Sequence, residues 1–404
     1  MRLHPALLAL LSAASCAALP TAATPTPPLH PVLLFAYFRE GPACGEEAVH
    51  FAYSRDGGNF TALNNNTPVL RGPDGMWSSV RDPFMARDPN DAGVFHIVAT
   101  AGGFARGIHV VHYWNMTLTT GAPVFSPPVL LDAMGSVNGT QECWAPEWTW
   151  DEEKQLYMVF FASETPRFAG GKSIWAVHTR DFASVVGAPF PLLAPNFSVI
   201  DANILRIGES RLGSAQMFFK DESYNRPGGV TGKSVKHIGF DGRLSPLPPS
   251  GISSNITQPG TEGPELVYFP SNGFGVGKYL LYYDCYTSTC FGLSTVKDCA
   301  VEGTCPANCT DCFVPVSPCA DPPAATAATG DSATATTATT ATTVERSTRI
   351  QRMTSFPNMA RHGSFTPITE AELAVLLKAY PTTELQDCHG GPENKTLSQQ
   401  CVPY

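Results

Sequence analysis

The stretch GIHVVHYWNMTL, at residues 107–118, is one of five similar strand-and-turn segments that recur through the chain. The segments start at residues 49, 107, 173, 234 and 290, so successive copies are 58, 66, 61 and 56 residues apart. A more hydrophobic segment precedes each copy, as VFHIVATAGG at 94–103 precedes this one. Repetition of a multi-stranded unit at this interval is typical of a β-propeller, and five copies predict five blades.

The composition also points to an all-β fold. Gly (35) and Pro (36) together supply 71 residues, which separate short apolar runs, and helical periodicity is almost absent. A β-sandwich would also contain short strands between turns, but it would not need five matching units. We therefore favour an all-β, five-bladed β-propeller, with the sandwich as the alternative.

The repeat is interrupted after residue 299. Residues 300–319 form a Cys-rich segment, and residues 320–343 are mostly Ala and Thr. A tract with almost no large apolar side chain cannot offset the entropy lost on ordering, so we expect it to be disordered. We interpret 300–348 as an insertion in the last blade.

The C-terminal part, residues 349–404, is expected to complete the propeller. Thr369 and Glu372 fit a capping box, which predicts one short helix at 370–379. Two further cysteines near the end predict a tail held by a disulfide.

The N-terminal residues 1–23 have the features of a secretory signal peptide: an early Arg2, an apolar core and small residues after it. The propeller would then occupy 24–299, and the protein would be secreted. No later segment has about 18 continuous apolar residues, so we expect no membrane span. Eight Asn-x-Ser/Thr sequons support export and glycosylation; they lie at Asn59, Asn65, Asn115, Asn138, Asn196, Asn255, Asn308 and Asn394.

The cysteines are consistent with an oxidising compartment. Of the twelve, seven lie between Cys285 and Cys319, where we expect disulfides. The spacing Cys309-x-x-Cys312 also occurs in zinc sites and redox pairs, but no His-Cys partner motif accompanies it. Loss of Cys16 with the signal peptide would leave an odd number, and hence one free or intermolecular thiol.

The charge balance argues against a nucleic-acid partner. The formal net charge is −9, only 15% of the residues are charged, and there is no basic run. We expect a monomer.

Three acidic residues lie in unusual local sequences. Asp82 precedes a proline in RDPF, which pushes it out of the α region. Asp201 lies within an apolar strand, where an unpaired charge is costly, and Glu262 lies among glycines that allow a ligand to approach closely. Taken singly, each of the three also fits a turn, a cap or a loop acid. In a propeller, however, inner strands from different blades would bring them to one mouth.

Four motifs in this order resemble glycoside hydrolase family 43, the five-bladed propeller arabinofuranosidases and xylosidases. The motifs are RDPF (81–84), WAPEW (144–148), VIDA (199–202) and EGPE (262–265). The resemblance covers about residues 31–299 and resumes at RHGSF (361–365).

The resemblance implies an inverting glycosidase that requires no cofactor. Asp82 would be the general base that activates water, and Glu262 the general acid that protonates the departing oxygen. Asp201 would raise the pKa of Glu262 and hold it in position.

Other residues are candidates for substrate or ion binding. Trp144, Phe84 and Lys220 are candidate substrate-binding residues, although Trp144 also fits a core position and Lys220 a solvated ion pair. His362 resembles the family's axial histidine and could help to hold a structural Ca²⁺ ion, although a lone histidine is more often structural. Glu147 is expected to pack beneath the site.

Two alternative interpretations of the sequence remain open. RDP followed by Glu142-Cys143 resembles the fructan hydrolases, in which that glutamate would be the acid. The upstream Asn-Asp-Pro-Asn motif of that family is missing from residues 24–81. A carbohydrate-binding propeller that has lost turnover is the non-enzymatic alternative. We favour a hydrolase of pentose-containing polysaccharides, with α-L-arabinofuranosides first and β-xylosides second.

Overall fold

The computed structural model describes most of the chain between residues 31 and 382. The described ranges are 31–40, 47–75, 78–118, 121–168, 171–206, 215–223, 232–240, 242–248, 250–274, 278–286, 290–302, 312–317, 319 and 354–382. Within these ranges, no helix has both the length and the apolar composition needed to cross a lipid bilayer.

The described residues form twenty strands and two short α-helices. The first eight strands are β1 (Val32–Arg39), β2 (His50–Ser54), β3 (Thr61–Ala62), β4 (Val80–Arg87), β5 (Val94–Ala101), β6 (Val110–Leu118), β7 (Pro123–Phe125) and β8 (Val129–Asp132). The next seven are β9 (Trp144–Asp151), β10 (Leu156–Glu164), β11 (Lys172–Thr179), β12 (Val185–Leu193), β13 (Val199–Arg206), β14 (Ala215–Asp221) and β15 (Ser234–Phe240). The remaining elements are β16 (Glu262–Tyr268), β17 (Tyr279–Cys285), β18 (Cys290–Val296), α1 (Asp298–Glu302), β19 (Phe313–Ser317), β20 (Ala360–Ile368) and α2 (Glu370–Ala379).

The strands form five antiparallel sheets, which are the five blades of the predicted propeller. From the axis outward, the sheets are β20-β1-β2-β3, β4-β5-β6-β7, β9-β10-β11-β12, β13-β14-β15 and β16-β17-β18-β19. In blade 2, β8 also pairs with β6. The recurring segments of the sequence are the third strands of the blades, and the more hydrophobic segments ahead of them are the second strands. Each unit of the sequence repeat therefore corresponds to one blade.

The sheet of blade 1 closes the ring because it contains both the first and the last described strands. β20 pairs with β1, with Phe365 opposite Phe35. The two rings stack at a centroid distance of 4.3 Å, and Phe365 stacks on Tyr282 of blade 5 at 3.8 Å. All three rings are buried. This aromatic cluster joins the closing sheet to its neighbour.

The last blade uses part of the segment interpreted as an insertion. β19, at Phe313–Ser317, pairs with β18 and is the outer strand of blade 5. A disulfide joins Cys285 to Cys319, and among the described cysteines Cys143 is free and buried. The Ala/Thr-rich tract and the two C-terminal cysteines lie outside the described residues.

The predicted C-terminal helix is α2. Thr369 accepts a hydrogen bond from the backbone N–H of Glu372, and the Glu372 side chain accepts one from the N–H of Thr369. The capping box is therefore confirmed. The buried Leu373 and Leu376 of α2 pack against the core between blades 1 and 2.

The closing aromatic cluster yields a prediction about stability. We expect Phe365→Ala to lower the free energy of unfolding by about 3–5 kcal/mol, because it removes a buried ring and leaves a cavity. Urea denaturation monitored by tryptophan fluorescence measures this change. Phe104→Ala is the matched control: this residue is 66% exposed, so we expect a change within about 0.5 kcal/mol. A loss below about 1 kcal/mol for Phe365→Ala would contradict this role of the cluster.

Candidate active site

The five inner strands share one local irregularity. In each, three residue steps along the inner strand lie opposite two steps on its neighbour, which is the signature of a β-bulge. The bulged tetrapeptides are Arg81-Asp82-Pro83-Phe84, Trp144-Ala145-Pro146-Glu147, Ile200-Asp201-Ala202-Asn203, Glu262-Gly263-Pro264-Glu265 and Arg361-His362-Gly363-Ser364. The bulge therefore repeats at one height around the axis.

The second residue of four of these bulges has a left-handed backbone. The φ angles are 49° for Asp82, 45° for Ala145, 54° for Asp201 and 54° for Gly263. Such angles are uncommon outside glycine and tend to occur at functional sites. Gly263 is required for a further reason: a Cβ atom there would lie 2.5 Å from the His362 ring.

One pocket at the mouth of the ring is lined by the first residues of all five bulges and by three of the second residues, Asp82, Asp201 and His362. The pocket has a volume of about 400 Å³. Its walls are Glu40, Arg81, Asp82, Thr100, Gly103, Phe104, Trp144, Ile200, Asp201, Lys220, Glu222, Glu262, Tyr286, Arg361 and His362. All three predicted catalytic carboxylates lie in it, together with Trp144, Lys220 and His362. Every blade contributes to its walls.

Asp82 is held as a carboxylate. Its Oδ2 accepts a hydrogen bond from the Thr100 hydroxyl at 2.8 Å, and its Oδ1 lies 3.5 Å from Nδ1 of His362. Burial opposes ionisation, but His362, together with the charge of Arg81 and the Thr100 hydrogen bond, outweighs it and holds the pKa of Asp82 below its usual value. Asp82 is therefore able to accept a proton.

Asp201 is tied to the backbone beside Glu262. Its Oδ2 accepts the N–H of Gly263 at 3.0 Å. Burial raises the pKa of Asp201 to about 6, although the charge of His362 acts in the opposite direction. Asp201 thus fixes the chain that carries Glu262.

Glu262 lies between two buried cations. Its Oε2 is 2.7 Å from Nζ of Lys220, and its Oε1 is 3.0 Å from Nη2 of Arg361. Arg361 also pairs with the buried Asp284 at 2.7 Å. These contacts hold the Glu262 side chain at the pocket wall.

His362 is a cation in this arrangement. Burial disfavours the imidazolium, but Asp201 and Asp82 outweigh burial and raise the pKa of His362 to about 10. An imidazolium has no free nitrogen lone pair for a metal, and Ca²⁺ requires six to eight oxygen ligands. Among the described residues, no group of three or more His, Cys, Asp or Glu side chains could hold a metal ion. The described residues thus offer no set of direct protein ligands for Ca²⁺ at His362, and the Ca²⁺ ion stays a prediction.

The fourth residues of the bulges form a layer beneath the pocket. The Asn203 amide donates to Glu147 at 3.2 Å and to Glu265 at 3.0 Å. Burial raises the pKa of Glu265 to about 7, and it raises that of Glu147 as well. Glu147 thus lies where a supporting residue was expected.

Phe84 requires a correction. As the fourth residue of its bulge, it lies on the far side and lines a separate cavity of about 750 Å³. There its ring packs edge-on against Trp148, with centroids 6.5 Å apart. Because the bulge turns Asp82 and Phe84 to different sides, Phe84 is not a wall of the pocket.

Trp144 serves the pocket and the core together. Its ring is edge-on to the exposed Phe104 at 5.8 Å, and the ammonium of Lys172 lies 4.6 Å from its centroid. The ring also contacts the core between blades 3 and 4. Glu142, the acid in the fructan-hydrolase reading, does not line the pocket; it accepts the N–H of Glu164 at 2.9 Å.

Sequence reasoning missed several walls of the pocket. Arg361 precedes the predicted His362, and alignment of the five bulges would have identified it. Phe104, Tyr286, Glu222 and Glu40 lie outside the bulges, and no local pattern distinguishes them from ordinary loop residues.

Comparison with known proteins shows the family. The family described as "Probable glycosyl hydrolase domain", a relative of glycoside hydrolase family 43, matches residues 31–302. None of the curated protein sequences matches the chain.

Several solved structures are similar to this chain. A thermostable family-43 glycoside hydrolase shares 17% identity over 58% of this chain and 71% of its own, with a TM-score of 0.40. An exo-1,5-α-L-arabinanase from a bovine ruminal metagenomic library shares 13% over 66% and 90%, with a TM-score of 0.43. An exo-β-1,3-galactanase from Clostridium thermocellum shares 11% over 63% and 52%, with a TM-score of 0.44. These similarities do not decide which sugar is cleaved. By the family match, this chain belongs to the family-43-related glycosyl hydrolases.

Proposed function

We propose that the protein is an inverting glycoside hydrolase acting on pentose-containing polysaccharides, with Asp82 as general base and Glu262 as general acid. The observation that carries the proposal is the convergence of Asp82, Asp201 and Glu262 on one pocket from blades 2, 4 and 5. Inversion requires two carboxyl groups with room for a water molecule between them.

The environment of Asp82 supports the role of base. Thr100 and His362 hold its carboxylate oxygens, and its pKa lies below the usual value. A water molecule beside Asp82 would lose a proton to it while attacking the anomeric carbon. Thr100 also accepts the N–H of Ala145, so the hydroxyl that orients Asp82 is itself held by blade 3.

The opposite wall supports the role of acid for Glu262. Lys220 and Arg361 position its carboxyl group, and Asp201 fixes the adjacent Gly263. Glu262 would give its proton to the glycosidic oxygen as that bond breaks. Proton transfer by a positioned side chain contributes about 10²–10⁴ to the rate.

The sugar class of the proposal rests on the family resemblance of the bulge motifs. α-L-Arabinofuranosides are proposed first and β-xylosides second. Trp144 and Phe104 offer ring surfaces on one wall, against which the apolar face of a sugar can pack. Charged side chains on the other walls would face its hydroxyl groups.

We also propose that the enzyme is a secreted, glycosylated monomer. Of the six sequon asparagines in the described ranges, five are exposed and Asn115 is half-buried. Enzymatic removal of N-glycans from protein secreted by a eukaryotic host should lower its apparent mass. Light scattering after gel filtration measures the oligomeric state.

The catalytic assignment is tested by two isosteric variants. We expect Asp82→Asn and Glu262→Gln each to lower kcat/KM on a natural oligosaccharide by about 10²–10⁴-fold, because each removes one proton transfer. For Glu262→Gln the loss should be smaller on an aryl glycoside with a good leaving group, which needs less help from an acid. NMR of the first-formed product should show inverted anomeric configuration.

Glu142→Gln is the matched control for these variants. Its carboxyl group is buried outside the pocket, so we expect near-wild-type kinetics. Activity confined to a fructoside, abolished by Glu142→Gln and insensitive to Glu262→Gln, would overturn the assignment. Sugar binding without turnover of any donor would favour a non-catalytic propeller.

The sugar class is tested by a panel of donors. We expect arabinofuranosides to be cleaved fastest and xylosides next, with galactosides well behind. The measurement is kcat/KM for each aryl glycoside, followed by release of monosaccharide from the corresponding polymers. Preference for a galactoside would refute the pentose proposal while leaving the catalytic residues in place.

The ion pair of Asp82 with His362 predicts a specific change in pH dependence. The charge of His362 lowers the pKa of Asp82, so His362→Gln should raise that pKa and make the base available only at higher pH. We expect the low-pH limb of kcat/KM to move up by about one pH unit or more.

His109→Gln serves as the control for this experiment. His109 pairs with Asp132 at 2.8 Å on the surface, outside the pocket, so its removal should leave the low-pH limb in place. A low-pH limb unchanged in His362→Gln would show that His362 does not set the ionisation of the base.

A further inference from the structure

An arc of alternating charges runs along the wall of the pocket, and only its two end members lie outside the pocket lining. In order, it consists of Lys233, Glu222, Lys220, Glu262, Arg361, Glu40, Arg81 and Glu47. Each member forms an ion pair with the next, and the arc passes through blades 4, 5, 1 and 2. We call it the charged arc. In the proposed mechanism, Glu262 is the one member of the arc that transfers a proton, and its neighbours Lys220 and Arg361 position it.

We propose that Glu222 is a positioning residue for the general acid: it shares the Lys220 ammonium with Glu262 and so limits how strongly that ammonium stabilises the Glu262 carboxylate. This inference rests on the proposed role of Glu262 as general acid. An acid must carry its proton when the substrate is bound, and a cation held against it alone would oppose that.

The geometry places Lys220 midway between the two glutamates. Its Nζ lies 2.7 Å from Oε2 of Glu262 and 2.7 Å from Oε2 of Glu222. The Lys220 side chain is only 4% exposed, so solvent screens its charge weakly. Burial disfavours the ammonium, but Glu262, Asp201 and Glu222 raise the pKa of Lys220 well above its usual value. One fixed positive charge thus serves two carboxyl groups.

Glu222 is itself held as an anion. Lys233 pairs with its Oε1, and Lys220 with its Oε2. Burial opposes ionisation of Glu222, but Lys220 and Lys233 together hold its pKa below the usual value. A carboxylate paired with two lysines is a poor proton donor, which assigns Glu222 to positioning and not to proton transfer.

Besides Lys220, other charged or titratable side chains lie near Glu262, among them Arg361, Asp201 and His362. Arg361 faces it from β20 and also pairs with Asp284 and Glu40. Asp201 lies on β13 and His362 follows Arg361 on β20. The ring of Tyr286 covers Lys220 with its centroid 4.6 Å from Nζ. Variants at Glu222 or Lys233 leave all of these groups in place.

Two variants with opposite expected signs test the proposal. In Glu222→Gln, Lys220 acts on Glu262 alone, so the high-pH limb of kcat/KM should move down by about one pH unit. In Lys233→Gln, Glu222 offsets Lys220 more fully, and the same limb should move up. The loss of activity in Glu222→Gln at the wild-type optimum should be several-fold larger on an oligosaccharide than on an aryl glycoside with a good leaving group.

Glu153→Gln is the matched control. It removes one carboxylate that pairs with Arg243 on the surface at 3.5 Å, far from the charged arc in the sequence and outside the pocket. Its pH profile should equal that of the wild type. Circular dichroism and the urea midpoint verify that each variant is folded.

The outcomes separate this proposal from the proposed function. One outcome is that Glu262→Gln abolishes turnover while the high-pH limb of kcat/KM stays in place in both Glu222→Gln and Lys233→Gln. In that case the role of Glu222 is refuted and the catalytic assignment stands. A uniform loss of kcat at every pH would likewise refute it, because it would indicate a structural role alone. If Glu262→Gln retains full activity on the oligosaccharide, the proposed function fails before the question about Glu222 arises.

Discussion

The pairing of β20 with β1 is the interaction on which the rest of the structure depends. It closes the five blades into a ring, and it is made between segments more than 300 residues apart in the chain. The same strand carries Arg361 and His362, which contact Glu262 and Asp82 respectively. Ring closure and assembly of the pocket are therefore one event. A propeller that fails to close would lack two of the four cations that line the pocket.

The electrostatics of the pocket follow from burial of many charges in a small space. An isolated buried carboxylate would take up a proton or destabilise the fold, so each one here has a counter-charge or a backbone donor. Asp82 has His362, Asp201 has the N–H of Gly263, and Glu262 has Lys220 and Arg361. The environments differ, and so the carboxyl groups are suited to different roles. That difference is what acid–base catalysis requires of paired carboxyl groups.

Most of the fold could be predicted from the sequence, because each blade repeats the same order of a very hydrophobic strand and a strand followed by a polar turn. The common location of the three carboxylates could also be predicted, since each lies in a local sequence that is unusual for a surface acid. The side of the sheet on which Phe84 lies could not be predicted. Side chains alternate between the two faces of a regular strand, but the bulge at Asp82 inserts a residue and breaks that alternation. The presence of Glu222 and Phe104 in the pocket depends on which loops meet above the ring, and this is set by the tertiary structure. The charge on His362 could not be predicted either, because it depends on neighbours from two other blades.

The location of β20 also has a consequence for biosynthesis. Blade 1 lacks its inner strand until residue 368 has left the ribosome, so β1 must wait while four other blades are made. During that time β1 presents an unpaired apolar edge, which is a template for pairing with another chain. Closing so long a loop costs only slightly more entropy than closing a shorter one, because the cost grows with the logarithm of length. The vulnerable period is thus set by the speed of translation, and chaperones that cover strand edges would act on the nascent first blade.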